Sequence, residues 1–209
     1  MELKSKNIAF VSILAAVYAV MSYLPISVYI GGEALITANL MVLPLMAYLL
    51  DTKYAIISAF TGALAMYFTG TAIAPVYGSF TVLIPVLGVL FGSLTKKNCL
   101  AALPWMMFGA ISYVLYSGGT LLWLTLYGFA VILSPLTVKF KQLKIINCCV
   151  STTISELIAM DVGNIFLMNF PDFLWMIILP FAVYERTLAV LGSMALIRGL
   201  KRYVGPASP

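Results

Sequence analysis

The sequence contains no histidine and very few charged residues. Among its 209 residues, Lys and Arg together number 12, and Asp and Glu together number 7. Histidine is the usual general base and the commonest metal ligand, so its absence excludes Ser-His and Cys-His catalytic arrangements. The chain also lacks a phosphate-binding glycine loop, a Walker motif and a CxxC pair, which removes the familiar routes to ATP hydrolysis. We therefore predict no enzymatic activity, no bound metal and no cofactor.

The low charge also excludes a water-soluble domain. Hydrophobic residues make up 63% of the chain, and its mean hydropathy is +1.06. A membrane-spanning helix takes roughly 20 apolar residues, so the chain length allows about eight crossings and leaves no room for a soluble domain. We predict an all-α, polytopic membrane helix bundle formed by residues 1–204. Residues 205–209, reading GPASP, are predicted to be a disordered tail or a cloning remnant.

Eight apolar runs, separated by turn residues and charges, are the predicted membrane segments. Their approximate bounds are 8–28, 35–50, 54–68, 80–94, 100–116, 120–136, 145–168 and 173–200. The second to sixth runs are short, which leaves tilted, re-entrant or incompletely spanning segments as alternatives. The first run continues past roughly 20 residues without a small-residue cleavage site, so it is predicted to be a retained helix rather than a signal peptide.

The basic residues between these runs predict the topology. If all eight runs cross the membrane, the basic residues of the termini and of the even-numbered connections all lie on one side. These residues are Lys4, Lys6, Lys53, Lys96, Lys97, Lys139, Lys141, Lys144, Arg198, Lys201 and Arg202. The positive-inside rule then places both termini in the cytoplasm of a multi-pass protein of the cell membrane. Because the charges form small clusters rather than one patch, the net charge of +5 does not indicate a nucleic-acid partner.

The first predicted helix carries small residues at spacings of three and four. Ser12, Ala15, Ala16 and Ala19 lie along one face of this segment. Small-xxx-small faces allow another helix to approach closely in lipid. Two interpretations remain open, namely internal packing and a docking surface for a partner subunit.

Several segments together resemble the S components, the substrate-binding membrane subunits of energy-coupling factor (ECF) vitamin transporters. The first helix has an AxxxA pattern at Ala15 and Ala19, and a short second helix containing Pro44 follows. Next come a tight hairpin at 51–53 and a glycine-bearing third helix, AIISAFTGALAMYF. The last helix, PFAVYERTLAVLGSMALIRGLKRY, is also similar to that of the family.

The resemblance covers roughly residues 5–70 and 145–203 and implies a function and partners. Family members usually have six helices, whereas the charge pattern here favours eight. In the family the AxxxA face packs on the transmembrane coupling subunit, which implies a docking role for Ala15 and Ala19. The implied partners are that coupling subunit, two cytosolic ATPases, the membrane lipid and a small-molecule substrate.

Ionisable residues inside the last two runs are the other informative feature. Glu156 and Asp161 lie in the seventh run, and Glu185 and Arg186 lie near the middle of the eighth. Each such group costs at least about 2.5 kcal/mol in a membrane, so it should face the protein interior or a wet cavity and have a partner. Glu156 and Arg186 have similar depths in adjacent antiparallel helices. We predict that they form an ion pair that fixes helix register.

Asp161 and Asn164 are the predicted ligand-binding residues. They share one helix face and lie closer to the outer side, below an outer loop that carries Glu33. A carboxylate and an amide there would suit a ligand with a cationic or hydrogen-bond-donor group, with Tyr184 as a further contact. The alternative is that Asp161 bonds Ser, Thr or Tyr on neighbouring helices. Candidate stacking walls for a flat ligand are Trp105, Trp123, Trp175, Tyr113, Tyr116, Tyr127 and Tyr184. For Trp175 and Tyr116, near the estimated helix ends, the alternative is a role as anchors at the membrane interface.

The function predicted from these features is capture and uptake of a small vitamin-like molecule by an ECF-type importer, with this chain as the substrate-binding subunit. The alternative is a small secondary carrier or channel in which Glu156, Asp161 and Glu185 relay protons or cations. A membrane enzyme of lipid metabolism is disfavoured, because the chain has neither histidine nor an acidic metal-binding motif.

Overall fold

The computed structural model describes residues 2–24, 37–70 and 77–204, and this part of the chain forms eight α-helices without a β-strand. They are α1 (Glu2–Met21), α2 (Val42–Leu49), α3 (Thr52–Thr69), α4 (Leu83–Leu94), α5 (Leu103–Tyr116), α6 (Leu124–Lys139), α7 (Lys144–Phe166) and α8 (Asp172–Val204). Short 3₁₀ turns precede α2, α4, α6 and α7. The prediction of an all-α protein is confirmed for the described residues.

Three helical segments are long and apolar enough to cross a membrane. They are Leu121–Lys139, Lys141–Phe166 and Asp172–Leu200. The shorter apolar helices are Asn7–Met21, Ala38–Leu49, Gly78–Leu94 and Leu103–Tyr116. The chain is therefore a helical protein with at least three candidate membrane spans among its described residues.

Helix α7 is the centre of the bundle and packs against α2, α4, α5, α6 and α8. In its most apolar window, 78% of the residues are buried, against 22% for α8. Its first half carries hydroxyl side chains that bond within the helix. Thr152 Oγ1 donates to the Cys148 carbonyl at 2.7 Å, and Thr153 Oγ1 donates to the Cys149 carbonyl at 3.1 Å. These bonds satisfy polar groups that would otherwise be unpaired in an apolar core.

Helices α4 and α7 approach each other closely because α4 has glycines at two positions four residues apart. A Cβ on Gly88 would lie 2.9 Å from Glu156 Cβ and 3.0 Å from the Thr152 carbonyl oxygen. One on Gly92 would lie 2.8 Å from Thr152 Cβ. Only a hydrogen atom fits at either position, so this contact fixes the part of α7 that carries Glu156.

A second close contact joins α1 to α3. Ser58 Oγ donates to the Val11 carbonyl at 3.0 Å, and a Cβ on Gly62 would lie 3.0 Å from the Ala15 carbonyl oxygen. Ala15 is 4% exposed, whereas Ala19 is half-buried. Ala15 therefore packs within the chain, which is one of the two interpretations that its sequence pattern left open. Docking of a partner on this face stays a prediction.

The connections that carry lysines meet at one end of the bundle, called here the basic end. The Lys96 ammonium, after α4, donates to the Leu50 carbonyl and, at 3.3 Å, to the Tyr48 carbonyl at the end of α2. Asn147, in the first turn of α7, donates to the Cys99 carbonyl at 3.2 Å. Burial lowers the pKa of Lys96.

The opposite end is held by contacts between other connections. Tyr77 OH donates to Asn164 Oδ1 at 2.5 Å near the end of α7. Gly118, which has a φ of +61° between α5 and α6, faces the Asp172 carboxylate at the start of α8. A side chain at Gly118 would be strained by this φ and would clash with that carboxylate. Among the described connections, those after α2, α4 and α6 therefore lie at the basic end, and those after α3, α5 and α7 lie at the other end.

Candidate functional site

A small cavity with polar groups in a partly apolar wall lies between helices α1, α3, α4, α7 and α8 and the turn that leads into α2. Its volume is about 30 Å³, which is room for one or two water molecules. Its wall combines two carboxylates, three hydroxyls and an amide with apolar side chains. The lining residues are Tyr18, Thr37, Asn39, Leu40, Met66, Thr81, Pro85, Glu156, Met160 and Glu185. We call it the acidic cavity.

The two carboxylates of the acidic cavity share one guanidinium. Arg186 Nη1 donates to the Glu156 carboxylate and, at 3.1 Å, to the Thr153 carbonyl. Arg186 Nη2 lies 3.6 Å from Glu185 Oε1 and also contacts the Met160 sulfur at 3.5 Å. Glu156 and Arg186 side chains are each 4% exposed, and that of Glu185 is 11% exposed. The structure thus contains the contact between Glu156 and Arg186 and adds Glu185 to it.

The opposite wall is formed by the residues that begin α2. Thr37 Oγ1 donates to Asn39 Oδ1 at 2.7 Å, and Asn39 Nδ2 contacts the Met66 sulfur at 3.3 Å. Both residues are buried. Two of the donor groups on this wall are therefore engaged within the protein, while the Thr37 oxygen retains lone pairs that can accept.

The 3₁₀ turn that leads into α2 begins beside the end of α1, where the Ala38 N–H donates to the Leu24 carbonyl at 2.9 Å. Leu40, in the 3₁₀ turn that leads into α2, lines the same cavity as Glu156, which lies midway along α7. The turn and α2 have four and eight residues, so together they extend about 18 Å, against about 30 Å for a bilayer core. Non-helical backbone at membrane depth is tolerated where it lines a polar cavity. The start of α2 meets that condition.

Tyr18 closes the cavity from α1 and has an unused hydroxyl. The residue is 2% exposed, and its ring lies over Gly62 of α3. Its hydroxyl has no hydrogen-bond partner within the described ranges of the chain. A buried phenol usually has a partner, so this hydroxyl is available to an occupant of the cavity.

Asp161 lies in a different environment. Its Oδ2 accepts from Trp123 Nε1 at 2.8 Å and from the Tyr127 hydroxyl, both near the start of α6. Asp161 does not line the acidic cavity. This arrangement matches the alternative in which Asp161 bonds a tyrosine of a neighbouring helix. A ligand role for Asp161 stays a prediction.

The other predicted ligand residues are also dispersed. Asn164 is bonded by Tyr77, and Tyr184 is 51% exposed on the surface of α8. Glu33 lies outside the described residues. The structure therefore does not gather Asp161, Asn164 and Tyr184 around one cavity.

Three of the proposed stacking residues form a core of their own. The rings of Trp123 and Trp175 meet edge to face with centroids 5.1 Å apart, and Tyr113 meets Trp175 in the same way at 5.1 Å. All three are at most 2% exposed. They pack α5, α6 and α8 together in contact with one another.

Tyr18, Thr37 and Asn39 were not predicted from the sequence to be binding residues. A signal was available for Asn39, because it is a polar residue inside an apolar run, where such residues face the protein interior. Tyr18 and Thr37 gave no such signal, since tyrosine and threonine are common in membrane helices and at their ends.

No family model matches the chain, and no curated protein or solved structure shows significant similarity to it. The observations that bear on function are the acidic cavity, its charges and the apolar character of the helices around it.

Proposed function

We propose that the protein captures a small molecule from the outer side of the cell membrane and moves it inward, as the substrate-binding subunit of an ECF-type importer. The acidic cavity is the observation that carries this proposal. It brings side chains from five helices and from the turns before α2 and α4 to one point inside an apolar bundle. The binding site is Glu156, Glu185 and Tyr18, with Thr37 and Asn39 on the facing wall.

The energetic cost of the buried charges supports a ligand site. Each ionisable group at membrane depth costs at least about 2.5 kcal/mol, and Glu156, Glu185 and Arg186 lie together there. Glu156 and Arg186 alone would be enough for an ion pair that fixes helix register. Glu185 is an additional acid with a 3.6 Å contact to the same guanidinium. A second acid beside a cavity is explained by a bound substrate better than by helix packing.

The proposed topology has eight crossings with both termini in the cytoplasm. It is supported by the one-sided distribution of lysines and arginines. The basic end would then be cytoplasmic, and the end at Tyr77, Gly118 and Asp172 would face outward. The acidic cavity lies beneath the odd-numbered connections in this arrangement, because its wall includes Thr37 and Thr81, which follow two of them.

The proposed partners are a transmembrane coupling subunit and two cytosolic ATPases, as the family resemblance implies. The surface that would meet the coupling subunit is α1, whose outward face includes Ser12 and Ala16 in addition to the half-buried Ala19. These small exposed residues would permit close approach of a partner helix in lipid.

A secondary carrier is the second candidate function. It is favoured by the same cluster, because two carboxylates around Arg186 can exchange a proton for a bound cation. The two candidates differ in their energy source. In proteoliposomes that contain this chain alone, a carrier accumulates substrate when a proton gradient is imposed, whereas an ECF subunit requires its partners and ATP.

Native mass spectrometry of the purified protein tests capture. We expect a co-purifying small molecule that is lost in Thr37→Leu, because the larger apolar side chain fills the cavity and removes an acceptor. Thr125→Leu is the matched control, since Thr125 is exposed on α6. A protein that carries only lipid or nothing contradicts the proposal, and equal retention of the molecule in both variants contradicts the site.

A further inference from the structure

We infer that the acidic cavity binds the ammonium head group of an organic monocation. The inference rests on the proposed capture function and specifies the class of its substrate. Three properties of the cavity wall lead to it, namely its charge, the direction of its hydrogen bonds, and its size and apolar content.

The charge of the wall favours a cation. The Glu156 and Glu185 carboxylates face one guanidinium, that of Arg186, and no lysine or arginine is among the residues described on the wall. With both acids ionised, the cluster carries one net negative charge. The start of α2 adds at most about half a positive charge. A monovalent cation therefore brings the cavity close to neutrality, whereas an anion would add to the excess.

The hydrogen bonds of the wall favour a donor. The hydroxyl proton of Thr37 is directed to Asn39, and the Asn39 amide is directed to the Met66 sulfur. The groups left for an occupant are mostly acceptors, namely carboxylate and hydroxyl oxygens. The Tyr18 hydroxyl, which has no partner in the described part of the chain, can accept as well as donate. An ammonium group has three donors and no acceptor, which fits this set.

The size of the cavity favours a head group rather than a whole substrate. A volume of about 30 Å³ matches one or two water molecules, which is close to the space that an ammonium group occupies. Leu40, Pro85, Met66 and Met160 supply an apolar part of the wall. Such a wall suits the carbon that carries the ammonium group better than the full hydration shell of an inorganic ion.

Binding of three matched probes tests the inference. Butylammonium, butanol and butyrate share one carbon chain and differ in the charge of the head group. Using purified full-length protein, we expect butylammonium to bind about tenfold to hundredfold more tightly than butanol, because its charged head group bonds to carboxylates. Butyrate should not bind. Sodium chloride is measured in parallel, and stabilisation of the protein by sodium equal to that by butylammonium would overturn the organic assignment.

Two variants connect the binding to named groups. Glu185→Gln keeps the shape of the side chain and removes its charge, so the preference for butylammonium over butanol should fall by about tenfold. Tyr18→Phe should weaken butylammonium severalfold. Asp172→Asn is the control, because it removes an exposed acid outside the cavity. An equal loss in Asp172→Asn would show a general charge effect and would overturn the inference.

The remaining outcomes separate this inference from the proposed function. Butanol or butyrate binding as tightly as butylammonium, with loss in Thr37→Leu, would overturn the cation class and leave capture intact. Absence of butylammonium binding up to about 1 mM, a free energy near 4 kcal/mol, would also overturn it. The proposed capture function is contradicted by a different result, namely native mass spectrometry that finds no small molecule on the purified protein.

Discussion

The carboxylate of Asp161 is buried on α7 and bonded by two donors at the start of α6. One is the Trp123 indole at 2.8 Å and the other is the Tyr127 hydroxyl. We expect Tyr127→Phe to lower the free energy of unfolding by about 1–3 kcal/mol, since it leaves a buried acceptor short of a donor. Thermal melting in detergent measures this. Tyr116→Phe is the control, because Tyr116 is 63% exposed and its change should be within about 0.5 kcal/mol.

Asp161→Asn decides between the two roles considered for this residue. A ligand group would lose affinity about tenfold to hundredfold with little change in folding. From the two bonds to α6 we expect the opposite, a lower melting temperature with unchanged affinity for the co-purifying molecule. Loss of affinity without loss of stability would show that Asp161 is a ligand-binding residue.

Glu156 and Arg186 are expected to depend on each other for stability. Glu156→Ala leaves the guanidinium buried with Glu185 as its remaining acid, which should cost about 3–5 kcal/mol. Replacing Arg186 by Met as well should recover part of that loss, and chemical or thermal unfolding of the single and double variants measures the coupling. If the losses of unfolding free energy in the two single variants add up to the loss in the double variant, Glu156 and Arg186 do not stabilise each other.

The sequence was sufficient to predict contact between Glu156 and Arg186, because opposite charges in adjacent antiparallel segments must find each other in an apolar interior. The sequence was not sufficient to predict the hydrogen-bond partners of Asp161. Its donors, Trp123 and Tyr127, are residue types that also serve as membrane-interface anchors. Their orientation toward α7 depends on how α6 packs, which no local pattern encodes.

At the scale of elements, the contact between α4 and α7 controls the position of Glu156. We expect Gly92→Ala to destabilise the protein by about 1–3 kcal/mol, because the added methyl would lie 3.0 Å from Thr152 Cα and the backbones must separate. Gly128→Ala is the matched control. Gly128 lies inside α6 with nothing within 4 Å of an added Cβ, so alanine there should be neutral or stabilising by up to about 1 kcal/mol.

Ligand affinity gives a second measurement on the same pair of variants. Separation of α4 from α7 would displace Glu156, so Gly92→Ala should also weaken binding, whereas Gly128→Ala should not. Equal melting temperatures and equal affinities in the two variants would contradict the importance of this contact.

The two faces of α1 have different expected roles. Ala15 faces α3, so Ala15→Leu should lower the melting temperature of the isolated protein. Ala16 is exposed, so Ala16→Leu should leave folding and ligand binding unchanged and reduce association with the coupling subunit, measured by co-purification. Unchanged association in Ala16→Leu would remove α1 from the proposed partner surface.

The helices themselves were largely predictable, since each α-helix among the described residues overlaps one of the eight apolar runs. The role of the turn before α2 was not predictable. This 3₁₀ turn, which begins at Ala38, brings Asn39 and Leu40 into the wall that also contains Glu156. Hydrophobicity marks what is buried and carries no information about which buried residues meet at one cavity.

At the scale of the whole molecule, the separation of the connections predicts which residues face each side of the membrane. Single cysteines at Ser79 and Asp172 report on one end, and cysteines at Lys53 and Lys141 report on the basic end. All four positions are exposed. Since basic connections remain in the cytoplasm, we expect a membrane-impermeant thiol reagent applied to intact cells to label the first two and spare the last two.

The native thiols require one change before that labelling. Cys148 and Cys149 are buried and should not react, whereas Cys99 is half-buried and is replaced by serine in every variant. Permeabilised cells are the control, because there all four introduced cysteines should react. Labelling of Lys53→Cys from outside, or of Ser79→Cys and Asp172→Cys from opposite sides, would refute eight crossings. Such a result would also place the acidic cavity at a different depth below the outer surface. The proposed direction of capture would then be wrong.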